Sequence, residues 1–125
     1  MADPQKIMSG TASCADLMKC MLNLGDLEMG ILKSLMRKGP LKSEDLAKEH
    51  KKDKSIIHRA VQRLMTCGLV IREKHNISQG GYYFVYTALP KEMIRKRMLD
   101  CVEGMYKNMR TLVDDFELDP KKKKR

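Results

Sequence analysis

Residues 43–76 read SEDLAKEHKKDKSIIHRAVQRLMTCGLVIREKHN, and this stretch decides the fold. It opens on a short helical pattern from Ser43 to His50. Ser43 can cap that helix, Glu44 and Asp45 suit the positive end of its dipole, and Leu46 and Ala47 give it a small buried face. Lys51-Lys52-Asp53-Lys54 is too polar to continue a core helix and reads as a turn. A second helix is expected from Asp53, a good N-cap, to about Cys67, where Gly68 ends it. Ile57, Val61 and Leu64 recur at i, i+4, i+7 with Ala60 beside them, so they face inward. Lys54, Ser55, His58, Arg59 and Gln62 fall on the opposite side. Two helices joined by a polar turn make a helix-turn-helix.

The next residues, LVIREKHN (69–76) and YYFVYTAL (82–89), are rich in β-branched and aromatic side chains. ISQGG (77–81) lies between them, so a β-hairpin with a loop of about five residues is expected. A hairpin directly after a helix-turn-helix is a wing. Pro90 closes the second strand and opens a last helix at its favoured first turn.

On the N-terminal side, Leu27, Ile31 and Leu35 recur every four residues, with Leu32 and Met36 beside them. They predict a core helix over 26–38, which Gly39-Pro40 stops. Leu17, Met18, Met21, Leu22 and Leu24 predict an amphipathic helix over 12–24, interrupted by Gly25. On the C-terminal side the last helix is expected over 91–116. Met98, Met105 and Leu112 are seven apart, as are Val102, Met109 and Phe116, offset by four. Such a seam suits pairing with another helix. A helix of 26 residues, ~39 Å long, also outreaches so small a domain.

The fold class is therefore mainly α with a small β-hairpin wing. It is a winged helix-turn-helix over 12–90, flanked by N- and C-terminal helices. Residues 1–11 read as a loose N-terminus, 91–116 as a long dimerisation helix, and 117–125 as a basic disordered tail. A length of 125 residues suits this single domain.

Charge supports a polyanion partner. The chain carries 25 Lys+Arg against 16 Asp+Glu, a net +9, of which the terminal KKKKR supplies five. Between Lys51 and His75 there are seven basic residues and two acids, so the positive charge concentrates on the helix-turn-helix and wing. A plain solvated basic face would give the same count. No apolar run approaches a membrane span, and the N-terminus MADPQKIMSG has no apolar signal segment, so a cytoplasmic protein is expected. No Gly-rich phosphate loop, HExxH or GxSxG motif occurs, so neither an enzyme nor a cofactor is expected. Cys14, Cys20, Cys67 and Cys101 lack CxxC spacing, and His50, His58 and His75 do not complete a metal set. Buried free thiols are the plain reading; redox sensing through Cys14, Cys20 or Cys101 stays open. Eleven methionines suit a core or a dimer seam.

Residues 24–88 resemble the winged-helix domains of the MarR and TrmB groups of prokaryotic transcriptional regulators, archaeal members especially. LGDLEMGILKSLMRKGP, SEDLAKEHKKDKSIIHRAVQRLMTCGLVIREK and GGYYFVY carry the likeness, and SIIHRAVQRLMTCGLV looks most like the recognition helix leading into the wing. The resemblance implies a homodimer, held by N- and C-terminal helices, on a pseudo-palindromic duplex DNA site. That would place Leu17 and Met21 beside the seam residues Met98, Val102, Met105, Met109, Leu112 and Phe116. Larger TrmB proteins add a C-terminal sugar-binding domain that these residues do not match, so no effector is assigned.

Lys52, Lys54 and Ser55 suit phosphate contact, the last two at a helix N-terminus whose amides point outward. His58, Arg59 and Gln62 are the candidates for base edges, since Arg can bridge guanine O6 and N7 and Gln can pair with adenine N6 and N7. Arg59 could instead form a salt bridge within the domain. Arg63 could anchor phosphate or pair with an acid. Arg72, Lys74, His75 and Gln79 on the wing read equally as phosphate contacts or as solvated side chains. Tyr82, Tyr83 and Phe84 read as wing packing more than base stacking. PKKKKR (120–125) resembles a nuclear import signal, or would clamp phosphate in a prokaryotic regulator. The competing reading is a winged-helix adaptor that binds another protein in a transcription or replication complex.

Overall fold

The computed structural model describes residues 4–10 and 13–116. The elements run α1 (Pro4–Ser9), α2 (Cys14–Leu22), α3 (Asp26–Lys38), β1 (Leu41–Lys42), α4 (Ser43–His50), α5 (Lys54–Thr66), β2 (Val70–Asn76), β3 (Tyr82–Ala88) and α6 (Lys91–Asp114). The segment expected to be loose at the N-terminus contains the short helix α1. The expectations for 117–125 lie outside the described residues.

The core is built from the apolar faces read above. Ile31, Leu32 and Leu35 of α3, Leu46 of α4, and Ile57, Val61 and Leu64 of α5 are buried. Each such side chain contributes roughly 2 kcal/mol of transfer free energy. Leu69, Val70 and Tyr86 close the core from the sheet, and Ile94 and Met98 from the first turns of α6. Met98, assigned above to the seam, thus packs on its own domain. Leu17 and Met21 of α2 are half-buried against the same core.

Helix ends show where local chemistry departs from the simplest reading. Ser13 and Asp16 form a reciprocal capping box on α2, each side chain taking the other's backbone N–H at 3.1 Å. Asn23, with φ 56°, ends α2, and Gly25 stands at the N-cap of α3 rather than interrupting a longer helix. Lys42 takes the N-cap position of α4, where the Asp45 carboxylate accepts the Lys42 N–H at 3.1 Å, so Ser43 is the first helical residue and not the cap. Asp53 is the N-cap of α5 by backbone geometry, but its side chain makes no cap hydrogen bond.

The sheet has a third strand. β1 pairs antiparallel with β3, which pairs with β2, in the order β1-β3-β2. With only two residues, β1 has too little alternation to read from sequence. Loop 77–81 closes through Ile77 N–H to Gly81 O at 3.0 Å and Gly80 N–H to Ile77 O at 2.9 Å, with positive φ at Gly80 and Gly81. Among the described residues, no helix is long and apolar enough to cross a membrane.

Candidate nucleic-acid interface

α5 is held by four buried residues, Ile57, Ala60, Val61 and Leu64, and turns its other side to solvent. Ser55, His58, Arg59 and Gln62 lie at i, i+3, i+4, i+7 and are all exposed. Among the described residues, none of His58, Arg59 or Gln62 is engaged in an ion pair, so the intradomain salt bridge open to Arg59 does not form. A row of free donors on a helix of 13 residues, ~20 Å long, matches what a major groove admits.

The α5 N-terminus offers a second contact type. The first intrahelical bonds run from the N–H groups of Ile56 and Ile57 to Asp53 O, which leaves the Lys54 and Ser55 amides open to an anion. Lys52 is exposed beside them. The Lys54 ammonium lies 3.7 Å from the Glu44 carboxylate of α4, an exposed pair that water screens.

Arg63 is in a different position. Its guanidinium donates to the carboxylate of Glu28, a residue only 3% exposed at the start of α3. Glu28 also accepts the Gly25 N–H at 2.9 Å. Burial pushes the Glu28 carboxyl up, but the Arg63 hydrogen bond and the N–H groups of Glu28 itself and Gly25 outweigh it, so it titrates below its ordinary 4.5. Of the two roles open to Arg63, pairing with an acid is the one realised here. α4 is tied to α3 by a second cluster: Glu49 accepts from Lys38 at 2.8 Å and from the Ser34 hydroxyl at 2.5 Å. These contacts hold its carboxyl at about 2.

On the wing, register sets which cation meets which ring. Lys74 faces Phe84 across the ladder and Arg72 faces Tyr86. The Arg72 guanidinium lies 4.3 Å over Phe84 and the Lys74 ammonium 4.4 Å over Tyr82. Lys42 of β1 sits 4.4 Å over Tyr83, which also stacks on His75 with centroids 5.3 Å apart. The wing aromatics thus act as platforms for the wing cations. Gln79 stands exposed at the tip. Lys42, Glu28 and the exposed Ile56 and Thr66 on α5 were not singled out from sequence. Lys42 lies on the strand the sequence does not reveal, and Glu28 looked like an ordinary first-turn acid.

The four cysteines are free. Burial, with Cys101 adding to it, pushes the Cys67 thiol up, away from thiolate reactivity. Among the described residues, no group of three His, Cys, Asp or Glu side chains could hold a metal ion. An apolar groove of about 470 Å³ runs between α2, α3 and the first half of α6.

A helix-turn-helix with an exposed polar recognition face and a cation-bearing wing defines a winged-helix DNA-binding transcription regulator, not an enzyme. The chain belongs to the TrmB family: the profile described as "Sugar-specific transcriptional regulator TrmB" matches residues 18–92. An uncharacterized protein of Methanocaldococcus jannaschii is 36% identical over 103 residues, covering 82% of this chain and 78% of the relative. Among solved structures, one named as a possible transcriptional regulator from Methanosarcina mazei Go1 is similar, with TM-score 0.74 and 25% identity. It covers 85% of this chain and 90% of that one. A protein assigned to the MarR family of transcriptional regulators, from Enterococcus faecalis V583, shares the fold with TM-score 0.52 and 16% identity, over 91% and 92% of the two chains.

Proposed function

We propose that this regulator works as a homodimer on a pseudo-palindromic duplex site, each copy inserting α5 into the major groove. One observation carries the reading: the exposed row Ser55, His58, Arg59 and Gln62 stands opposite the buried anchors Ile57, Val61 and Leu64. Arg59 and Gln62 read guanine and adenine edges, His58 assists, and exposed Ile56 offers an apolar contact to a thymine methyl. Lys52, Lys54 and Ser55 hold phosphate at the helix N-terminus. Arg72, Lys74 and Gln79 of the wing reach neighbouring phosphates. Arg63 contributes positive potential from its place beside Glu28. Leu17, Met21, Met98, Val102, Met105, Met109, Leu112 and Phe116 hold the two copies together, setting the half-sites about 34–36 Å apart.

Selection of bound fragments from genomic DNA tests this in one step, since it returns the site, its symmetry and its spacing. The expected result is an inverted repeat with half-site centres one helical turn apart. A single asymmetric site would end the dimeric reading. No binding to any duplex at low salt would end the DNA reading and favour the adaptor, for which the bare outer half of α6 would be the protein-binding surface.

A further inference from the structure

From Val102 onward every residue of α6 is exposed, including Met109, Leu112 and Phe116 at 58%, 69% and 70%. The first half of the same helix forms one wall of the apolar groove, whose floor includes Met18, Met36, Met98 and Leu99. The only charged residues lining that groove are cations: Lys33, Lys91 and Arg95. α2, α3, α4 and α5 each carry a basic residue in the last turn, which suits the negative end of a helix dipole. α6 carries none and ends on Asp114-Asp115. Its C-terminus therefore lacks the countercharge that its neighbours have, and the groove rim holds a surplus of it.

We infer that the groove is the docking site for the end of α6 from a second copy, with Phe116 of that copy filling it and Asp114 and Asp115 meeting Lys33, Lys91 and Arg95. The two α6 helices then run antiparallel. Centring the pair between Met105 and Met109 sets Met98 against Phe116, Val102 against Leu112 and Met105 against Met109. All six seam residues find a partner and none is left over. The contact is isologous and closed, so it stops at two copies. A parallel pair would bring the two Asp114-Asp115 ends together and leave the groove open. The inference rests on the homodimer proposed above and adds its direction, its register and the groove's occupant.

Replacing Phe116 by the photo-crosslinker p-benzoylphenylalanine in the full chain tests it. Phe116 lies about 27 Å along α6 from Met98, so only another copy can bring the two together. The expected product is a covalent dimer whose crosslinked peptide maps to 14–36 or 91–102. A dimer by light scattering whose crosslinks fall within 105–116, or that does not crosslink, would overturn the inference and leave the homodimer standing. A monomer at high concentration would overturn both. Independently, Asp114→Lys with Asp115→Lys is expected to weaken dimerisation about tenfold or more, as opposed pairs become like-charged. Lys91→Glu with Arg95→Glu in that background is expected to restore it. Weakening without restoration would also overturn the inference.

Discussion

Arg63 on the recognition helix and Glu28 at the start of α3 form an ion pair that joins two elements 35 residues apart in sequence. Glu28 is buried while the Arg63 side chain stays largely exposed. The pair therefore fixes the angle at which α5 leaves the core while keeping a positive charge near its outer face. Removing Arg63 leaves a buried carboxylate without its cation, which costs about 2–3 kcal/mol. Arg63→Ala is expected to lower the urea midpoint clearly. Adding Glu28→Gln should recover much of the loss, because the neutral amide needs no countercharge. If Arg63→Ala leaves stability unchanged and only weakens DNA binding, its role is phosphate contact and the positioning role is wrong.

Glu49 gives the fold a defined acid limit. Lys38 first, then the Ser34 hydroxyl, hold its carboxyl at about 2 against an ordinary 4.5. The unfolded chain thus binds this proton more tightly than the native one. The stabilisation is whole above pH 4.5 and is lost as pH falls through about 2. Denaturation midpoints measured across that window should fall less steeply in Glu49→Gln than in the parent chain. Equal slopes would show that the α3–α4 link is carried elsewhere.

Base readers and phosphate holders on α5 should separate by sequence dependence. Arg59→Ala is expected to cost about 1–3 kcal/mol on the selected site and to relax specificity at one base pair. Lys52→Ala should weaken binding alike on specific and random duplexes and reduce the salt slope by about one. Titrations at several salt concentrations on both duplexes measure this. An Arg59→Ala loss of equal size on random DNA would move Arg59 among the phosphate contacts.

Most of this architecture was legible because two periods carried it. Ile57, Val61 and Leu64 mark the inner face of α5 at helical spacing, and all three are buried. Gly80 and Gly81 mark the wing turn, and loop 77–81 falls where they place it. What was not legible depends on contacts between distant segments. β1 is two residues long, and only its pairing with Tyr86 and Val85 makes it a strand. The choice of Arg63 between phosphate and acid was open until Glu28 came within reach through the fold. Met98 obeys both the seam spacing and the core spacing, and sequence alone gives no reason to prefer its own domain.

The wing rings raise a last question of division of labour. Lys74 lies over Tyr82 and Arg72 over Phe84, and Tyr82 is the more exposed ring. If Tyr82 acts only by holding Lys74, its effect must pass through that ammonium. Tyr82→Ala is then expected to weaken DNA binding about threefold, the size of an exposed cation–π contact. In a Lys74→Ala background the same change should do nothing more. A double-mutant cycle on the selected duplex reads this directly. Additive losses would mean that the Tyr82 ring itself meets the nucleic acid, and the wing would then be a reader as well as a clamp.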